Sequence, residues 1–103
     1  MGLYERWTVT SIEGGVGEDK IPVHAFGAAM AEAARGSLTV AQIVSAFSLD
    51  ATAQTELDAI VQKYTDLPNA TAKAAWMSKF HDVLMLCESG HYSKAKAKTE
   101  LGF

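Results

Sequence analysis

The 103-residue sequence is poor in cysteine and in long hydrophobic runs. Its single cysteine, Cys87, cannot form a disulfide bond within the chain, which is typical of a reducing compartment or of a particle assembled inside a cell. The longest uninterrupted apolar run extends only from Val83 to Cys87, whereas a membrane helix needs roughly 20 such residues. These shortages argue against a disulfide-stabilised scaffold and against a membrane protein.

Targeting signals are also missing from the first residues. Residues 1–7 do not show the basic segment followed by an apolar one that marks a secretory signal. Gly2 is compatible with myristoylation, but the Ser or Thr that this signal needs at position 6 is replaced by Arg6. We therefore expect a cytoplasmic origin.

Charge is scarce and unevenly distributed. Charged residues make up 20% of the chain and apolar ones 49%, a balance that predicts one ordered domain. The net charge is −3, but residues 1–66 carry −5 and residues 67–103 carry +2. Opposite fields of this kind steer head-to-tail contacts between copies. Ordinary scatter of a few charges is the alternative explanation.

The first 22 residues differ in character from the rest. Residues 6–12 are rich in β-branched and aromatic side chains and predict a short strand. An acidic, glycine-rich loop follows at 13–20, and the segment before Pro22 is expected to be extended. We predict an extended N-terminal arm with a Gly-rich hinge at 1–22, and a helical domain at 23–103.

A lone strand cannot satisfy its own backbone hydrogen bonds, so it must pair with another segment. The sequence leaves open whether that segment belongs to the same chain or to a neighbour. If the arm adds to a neighbour, its side chains contact the partner. The predicted partner-binding residues are Arg6, Trp7, Val9 and Ile12.

From Val23 onward the apolar pattern has a helical period. Thr39 and Gln42 match a capping box at the start of one helix, and Asp50 is placed to cap the next. Gly36 and Gly90 are placed to end helices. The predicted fold is all-α, a compact bundle of four to five short helices joined to the arm.

No set of residues predicts catalysis or a cofactor. The Gly14–Gly17 loop is flanked by acidic residues that repel phosphate, so a hinge is favoured over a phosphate-binding loop. His81, Cys87 and His91 supply too few ligands for a zinc site. We predict that Cys87 is a buried hydrophobic residue and that the protein is not an enzyme and has no metal or cofactor.

Residues 39–64 have the spacing of a helix-turn-helix motif. The second helix of such a motif must present cations to DNA phosphates. Here it begins at Asp50 and contains no basic residue before Lys63. A packed helical corner is favoured, and a small DNA-binding regulator remains the alternative function.

Several segments, taken together, resemble small virion proteins encoded in the structural gene blocks of tailed bacteriophages. The resemblance implies a non-enzymatic, multi-copy component of the capsid, neck, tail or fibre attachment, assembled in the host cytoplasm and located in the virion. Its expected partners are other virion proteins, copies of itself or both. Neither a membrane nor nucleic acid is expected as a partner. The resemblance transfers no functional residues. The segments are 21–26, 38–44, 47–50 and 81–86 continuing to 98–103.

Overall fold

Helices dominate the computed structural model, which describes residues 2–9 and 20–102. The all-α prediction is confirmed for these residues, with one short two-stranded parallel sheet beside the helices. None of the described helices has both the length and the apolar character that crossing a membrane requires. The elements are α1 (Leu3–Arg6), β1 (Trp7–Thr8), β2 (Ile21–Pro22), α2 (Val23–Ala34), α3 (Val40–Ala46), α4 (Ala51–Thr65), α5 (Ala70–Glu88) and α6 (Lys94–Glu100).

Side-chain caps mark the starts of α3 and α4. At α3 the Thr39 hydroxyl accepts from the Gln42 backbone N–H at 3.1 Å, and the Gln42 side chain accepts from the Thr39 N–H at 2.8 Å. This is the predicted capping box, and it satisfies two otherwise unpaired donors. The predicted Asp50 cap of α4 is also confirmed, since its carboxylate accepts from the Ala53 N–H at 2.9 Å. Gly36, just after α2, adopts the left-handed φ of +82° that its predicted role requires.

The N-terminal segment is folded onto its own chain. Strand β1 pairs in parallel with β2, with Trp7 opposite Ile21 and Thr8 opposite Pro22. Residues 3–6 form a helical turn where the sequence predicts extended backbone. The cis pairing resolves the alternative that the sequence left open. The predicted hinge and Ile12 lie in residues 10–19, outside the described part of the chain.

The core lies between α2 and α5, which pack closely along their length. Gly27 faces Leu84, and further along α2 Ala34 shares a groove with Ala70, so the two helices run antiparallel. A Cβ added at Gly27 would lie 3.3 Å from Leu84 Cδ1. Glycine at this position therefore permits the close approach of the two helices.

Aromatic rings continue this core into the N-terminal segment. The Trp7 and Phe26 rings lie 5.8 Å apart, and the Phe26 and Phe80 rings lie 6.0 Å apart. All three side chains are fully buried. On the far side, Trp76 stacks at 5.2 Å on Phe80 and at 5.7 Å on Tyr64. One continuous cluster therefore links β1, α2, α4 and α5.

Candidate protein-interaction site

The predicted partner-binding residues that the structure describes lie inside their own chain. Trp7 is fully buried and Val9 is 5% exposed. Arg6, also 5% exposed, donates from Nη2 to the Phe47 carbonyl at 2.7 Å and from Nη1 to the Ser48 carbonyl at 3.1 Å. Phe47 is the C-terminal cap of α3, so this cation lies at the negative end of the helix dipole. These side chains therefore have intramolecular partners and offer no free surface in this conformation.

A different surface is open, on the outward side of the α2–α5 pair. A groove of about 610 Å³ runs along the seam between the two helices. We call it the α2–α5 groove. Most of its apolar lining consists of side chains that end at Cβ, which brings a docking backbone close to the helices. These are Ala28, Ala31 and Ala34 from α2, with Ala70 and Ala74 from α5.

The rim of the α2–α5 groove is polar. Arg35 pairs with Glu32 one turn away, and hydrogen bonds from Arg35 and Ser37 hold the pKa of the Glu32 carboxyl below its usual range. Lys73 lies on the opposite wall, with its ammonium 5.8 Å from the centre of the Tyr64 ring. With His81 neutral, the lining residues carry a formal charge of +1, and Lys73 is the cation without a carboxylate beside it.

An apolar hollow of about 300 Å³ adjoins the groove. Ala34, Tyr64 and Met77 line both depressions, so the two form one continuous surface. Leu38 and Val61 extend it toward α3 and α4. The seam between antiparallel helices, with small residues along it and larger apolar ones at its end, is the type of surface that a third helix covers.

The residues that we considered as metal ligands are dispersed. His81 lies at the groove rim, 3.9 Å from the Asp82 carboxylate. Cys87 is buried, as predicted. His91 is exposed and contacts the Ser89 hydroxyl at 2.7 Å. Within residues 2–9 and 20–102, no three His, Cys, Asp or Glu residues are grouped so that they would hold a metal ion.

The α3–α4 corner has the chain order of a helix-turn-helix motif but an acidic outward face. Asp58 is exposed in the middle of α4, and Asp66 follows its end. The one basic residue of α4, Lys63, donates from its ammonium to the Gly102 carbonyl at 2.6 Å. A face of this charge repels DNA phosphates.

The lysines of α6 are also in contact with their own chain. Lys94 donates to the Trp7 carbonyl at 3.1 Å and so fixes the N-terminal segment. Lys96 lies 3.6 Å from the Glu100 carboxylate, and the Lys98 ammonium lies 4.8 Å from the Tyr4 ring centre. The lysines of α6, which contribute to the net positive charge after residue 66, therefore already contact groups of their own chain. The other two cations after residue 66, Lys73 and Lys79, lie on α5 and have neither a carboxylate nor a carbonyl partner among the described residues.

Sequence reasoning did not identify the α2–α5 groove. The sequence does contain a pattern that matches the groove, because alanine recurs at helical spacing outside the bulky apolar stripes. These alanines are Ala28 and Ala31 on α2, with Ala70 and Ala74 on α5. Alanine also fills helix positions for its propensity alone, so such a pattern does not distinguish a contact surface from solvent-exposed helix. Only the packing of α2 beside α5 places the four alanines on one surface.

Comparisons with known proteins give no independent identification. No protein-family model, curated protein or solved structure matches this chain. The resemblance to phage virion proteins stays a prediction. The functional argument therefore rests on the geometry of the described residues.

Proposed function

We propose that the protein is a non-enzymatic structural subunit, a multi-copy component of a tailed-phage virion that is held to its neighbours by helical surfaces. The observation that carries the proposal is the open α2–α5 groove. It joins an apolar hollow and lies on the closely packed helix pair at the centre of the fold. The sequence resemblance adds the virion context.

The geometry of the groove favours a protein partner over a small molecule. Pockets for small ligands enclose most of the ligand surface and place a few polar groups around it. The α2–α5 groove is open to solvent and is lined by residues of two helices, and its alanine lining offers backbone proximity in place of hydrogen bonds. A helix presents matching ridges to such a surface over several turns.

The N-terminal segment has a supporting role in this proposal. Trp7 packs on Phe26 at the side of the α2–α5 pair that faces the core, and Arg6 attaches the segment to the end of α3. The partner contacts that we predicted for Arg6, Trp7 and Val9 are therefore reassigned to the helical body, and that of Ile12 stays a prediction. The opposite side of the pair stays free for assembly.

The proposal is tested in purified particles of the phage that encodes the chain. Quantitative mass spectrometry of gradient-purified virions is expected to find the chain in several copies per particle, at a fixed ratio to the major capsid protein. A matched preparation carries Ala74→Trp, which fills the groove from an exposed position and is expected to leave the fold intact. This variant is expected to be depleted from the particles.

Two results would overturn the proposal. One is absence of the wild-type chain from purified particles while it is abundant in the infected cell. The other is incorporation of Ala74→Trp at the wild-type copy number, which would show that the groove is not an assembly surface. A conservative Ala74→Ser variant serves as the control, because it retains the shape of the groove.

A further inference from the structure

Many charged side chains of residues 2–9 and 20–102 are paired within the chain, whereas others have neither an ion pair nor a hydrogen bond, and two of these, Lys73 and Asp58, lie on open helical surfaces. Arg35, Lys94 and Lys96 each contact a carboxylate or a carbonyl of their own chain. Lys73 contacts only an aromatic ring. Among the ion pairs and hydrogen bonds of residues 2–9 and 20–102, none includes Asp58.

Asp58 lies at the middle of an exposed strip on α4. The residues one turn before and after it along the same side of the helix are Thr55 and Gln62, and both are exposed. The strip is free of bulky apolar side chains, so it can approach another helix closely. With the caps Asp50 and Asp66 included, α4 carries a formal charge of −3. We call this strip the outward face of α4.

The outward face of α4 and the α2–α5 groove are complementary. The apolar lining of the groove is mostly alanine, its Glu32 is paired with Arg35, and its Lys73 has no carboxylate partner. The face is a narrow helical strip, and its one charge is the carboxylate of Asp58. Opposite charges at matched positions steer docking and fix the register of two helices.

We propose that copies of this chain associate head to tail, with the outward face of α4 of one copy lying in the α2–α5 groove of the next and Asp58 facing Lys73. This inference deepens the proposed function and rests on it for its biological meaning. The contribution of α4 to the groove is Tyr64, which points inward to Trp76. Its outward face is on the other side of the helix, so one copy can use both surfaces at once.

An interface of this type joins two different surfaces and is therefore heterologous. Such contacts generate a ring if the rotation between copies closes and an open filament if it does not. One helix in one groove is at the small end of specific interfaces. We therefore expect reversible association that increases with protein concentration and weakens with salt, since the charges are at the rim.

The test is the weight-average mass of the purified full chain, measured by light scattering over a concentration series at low and high salt. Lys73→Glu and Asp58→Lys are each expected to weaken association about tenfold or more, because attraction becomes repulsion. Combining the two substitutions in one chain restores opposite charges and is expected to recover most of the association. Lys79→Glu is the matched control, since it makes the same change of charge at an exposed position of α5 outside the groove and is expected to associate as wild type.

A mixing experiment tests the head-to-tail arrangement. Ala74→Trp blocks the groove and leaves the α4 face intact, whereas Thr55→Trp blocks the face and leaves the groove intact. Each variant alone is expected to be monomeric. A mixture of the two is expected to stop at a one-to-one dimer, because each molecule retains one functional surface.

The inference is overturned if the wild-type chain is monomeric at every concentration. It is equally overturned if the doubly reversed variant fails to recover association, or if the tryptophan variants stay monomeric when mixed. Circular dichroism of each variant checks that helix content is unchanged. These failures are distinct from failure of the proposed function: a chain found in virions that does not self-associate docks on another virion protein, and a chain that self-associates but is absent from virions assembles elsewhere.

Discussion

The α2–α5 helix pair has two seams, and they are built differently. The inner seam carries Phe26 and Phe80 and is covered by the N-terminal segment through Trp7. The outer seam carries Ala28 and Ala74 and has no cover among the described residues. The same two helices thus present a bulky side to their own chain and a small-residue side to solvent.

The difference follows from the cost of exposure. Leaving a large aromatic side chain in water forfeits about 25 cal/mol for each Å² of apolar surface that could be buried. The inner seam must therefore be covered within the chain for the fold to be stable. Exposing the small alanine side chains of the outer seam costs little free energy. The outer seam can therefore stay exposed to solvent without a partner, and binding there can be reversible. This contrast is the physical basis for assigning stability to one seam and association to the other.

The largest expected effect comes from removing the cover of the inner seam. Trp7→Ala deletes a fully buried ring and is expected to lower the free energy of unfolding by about 3–5 kcal/mol. Urea unfolding followed by circular dichroism measures the change. Trp7→Phe retains a ring at the site and is expected to cost clearly less. If Trp7→Ala were as stable as wild type, the N-terminal segment would not belong to the core.

A second effect concerns the link between the N-terminal segment and α3. Arg6→Met keeps the apolar stem but loses the hydrogen bonds to the Phe47 and Ser48 carbonyls. We expect a loss of about 2 kcal/mol, since hydrogen bonds to charged groups are worth about 1.5–3 kcal/mol each and water recovers part of the loss. Arg6→Lys retains the charge and is expected to lie between Met and wild type. Equal stability of the Met and Lys variants would contradict a role for the cation.

A smaller effect is expected at the end of α2. Gly36 has a φ of +82° and open space around the position of a Cβ. Gly36→Ala therefore costs only the strain of the left-handed backbone, about 1 kcal/mol. Thermal unfolding measures it, with Gly36→Asn as the milder comparison because asparagine tolerates this conformation. A stabilised alanine variant would contradict the helix end described above.

The smallest effect is expected on the outer seam. Ala74→Ser changes an exposed groove residue and is expected to alter the free energy of unfolding by less than about 0.5 kcal/mol. The same urea titration used for Trp7→Ala gives the comparison directly. A loss as large as that of the inner-seam variant would mean that the outer seam is also required for folding, and the distinction between the seams would fail.

Local features of the fold could be predicted from the sequence. The Thr39 capping box, the Asp50 cap and the Gly36 helix end each depend on residues within a few positions of one another. The burial of Cys87 followed from the apolar period of a single helix. Short-range hydrogen bonds and backbone geometry decide such features, so the chain need not be folded for them to be recognised.

The candidate site was not predictable in the same way. The sequence contained the strand at Trp7, but its pairing with Ile21 depends on how the chain folds back. The contact of Lys94 with the Trp7 carbonyl joins opposite ends of the sequence. Together with the contacts of the other α6 lysines, it reduces the number of lysine side chains that remain available to a partner. None of these contacts can be predicted from residues that lie close together in the sequence.

By itself, the sequence determined the helical character, several helix ends and the burial of Cys87, because each is encoded by periodicity and by near neighbours. Only the tertiary structure decided where the N-terminal segment lies, which cations are free and which alanines form a groove. Those outcomes require segments distant in sequence to meet, and a side chain acquires its surface role only when its neighbours are in place. The sequence thus encoded the helices, and their packing created the surface assigned to assembly.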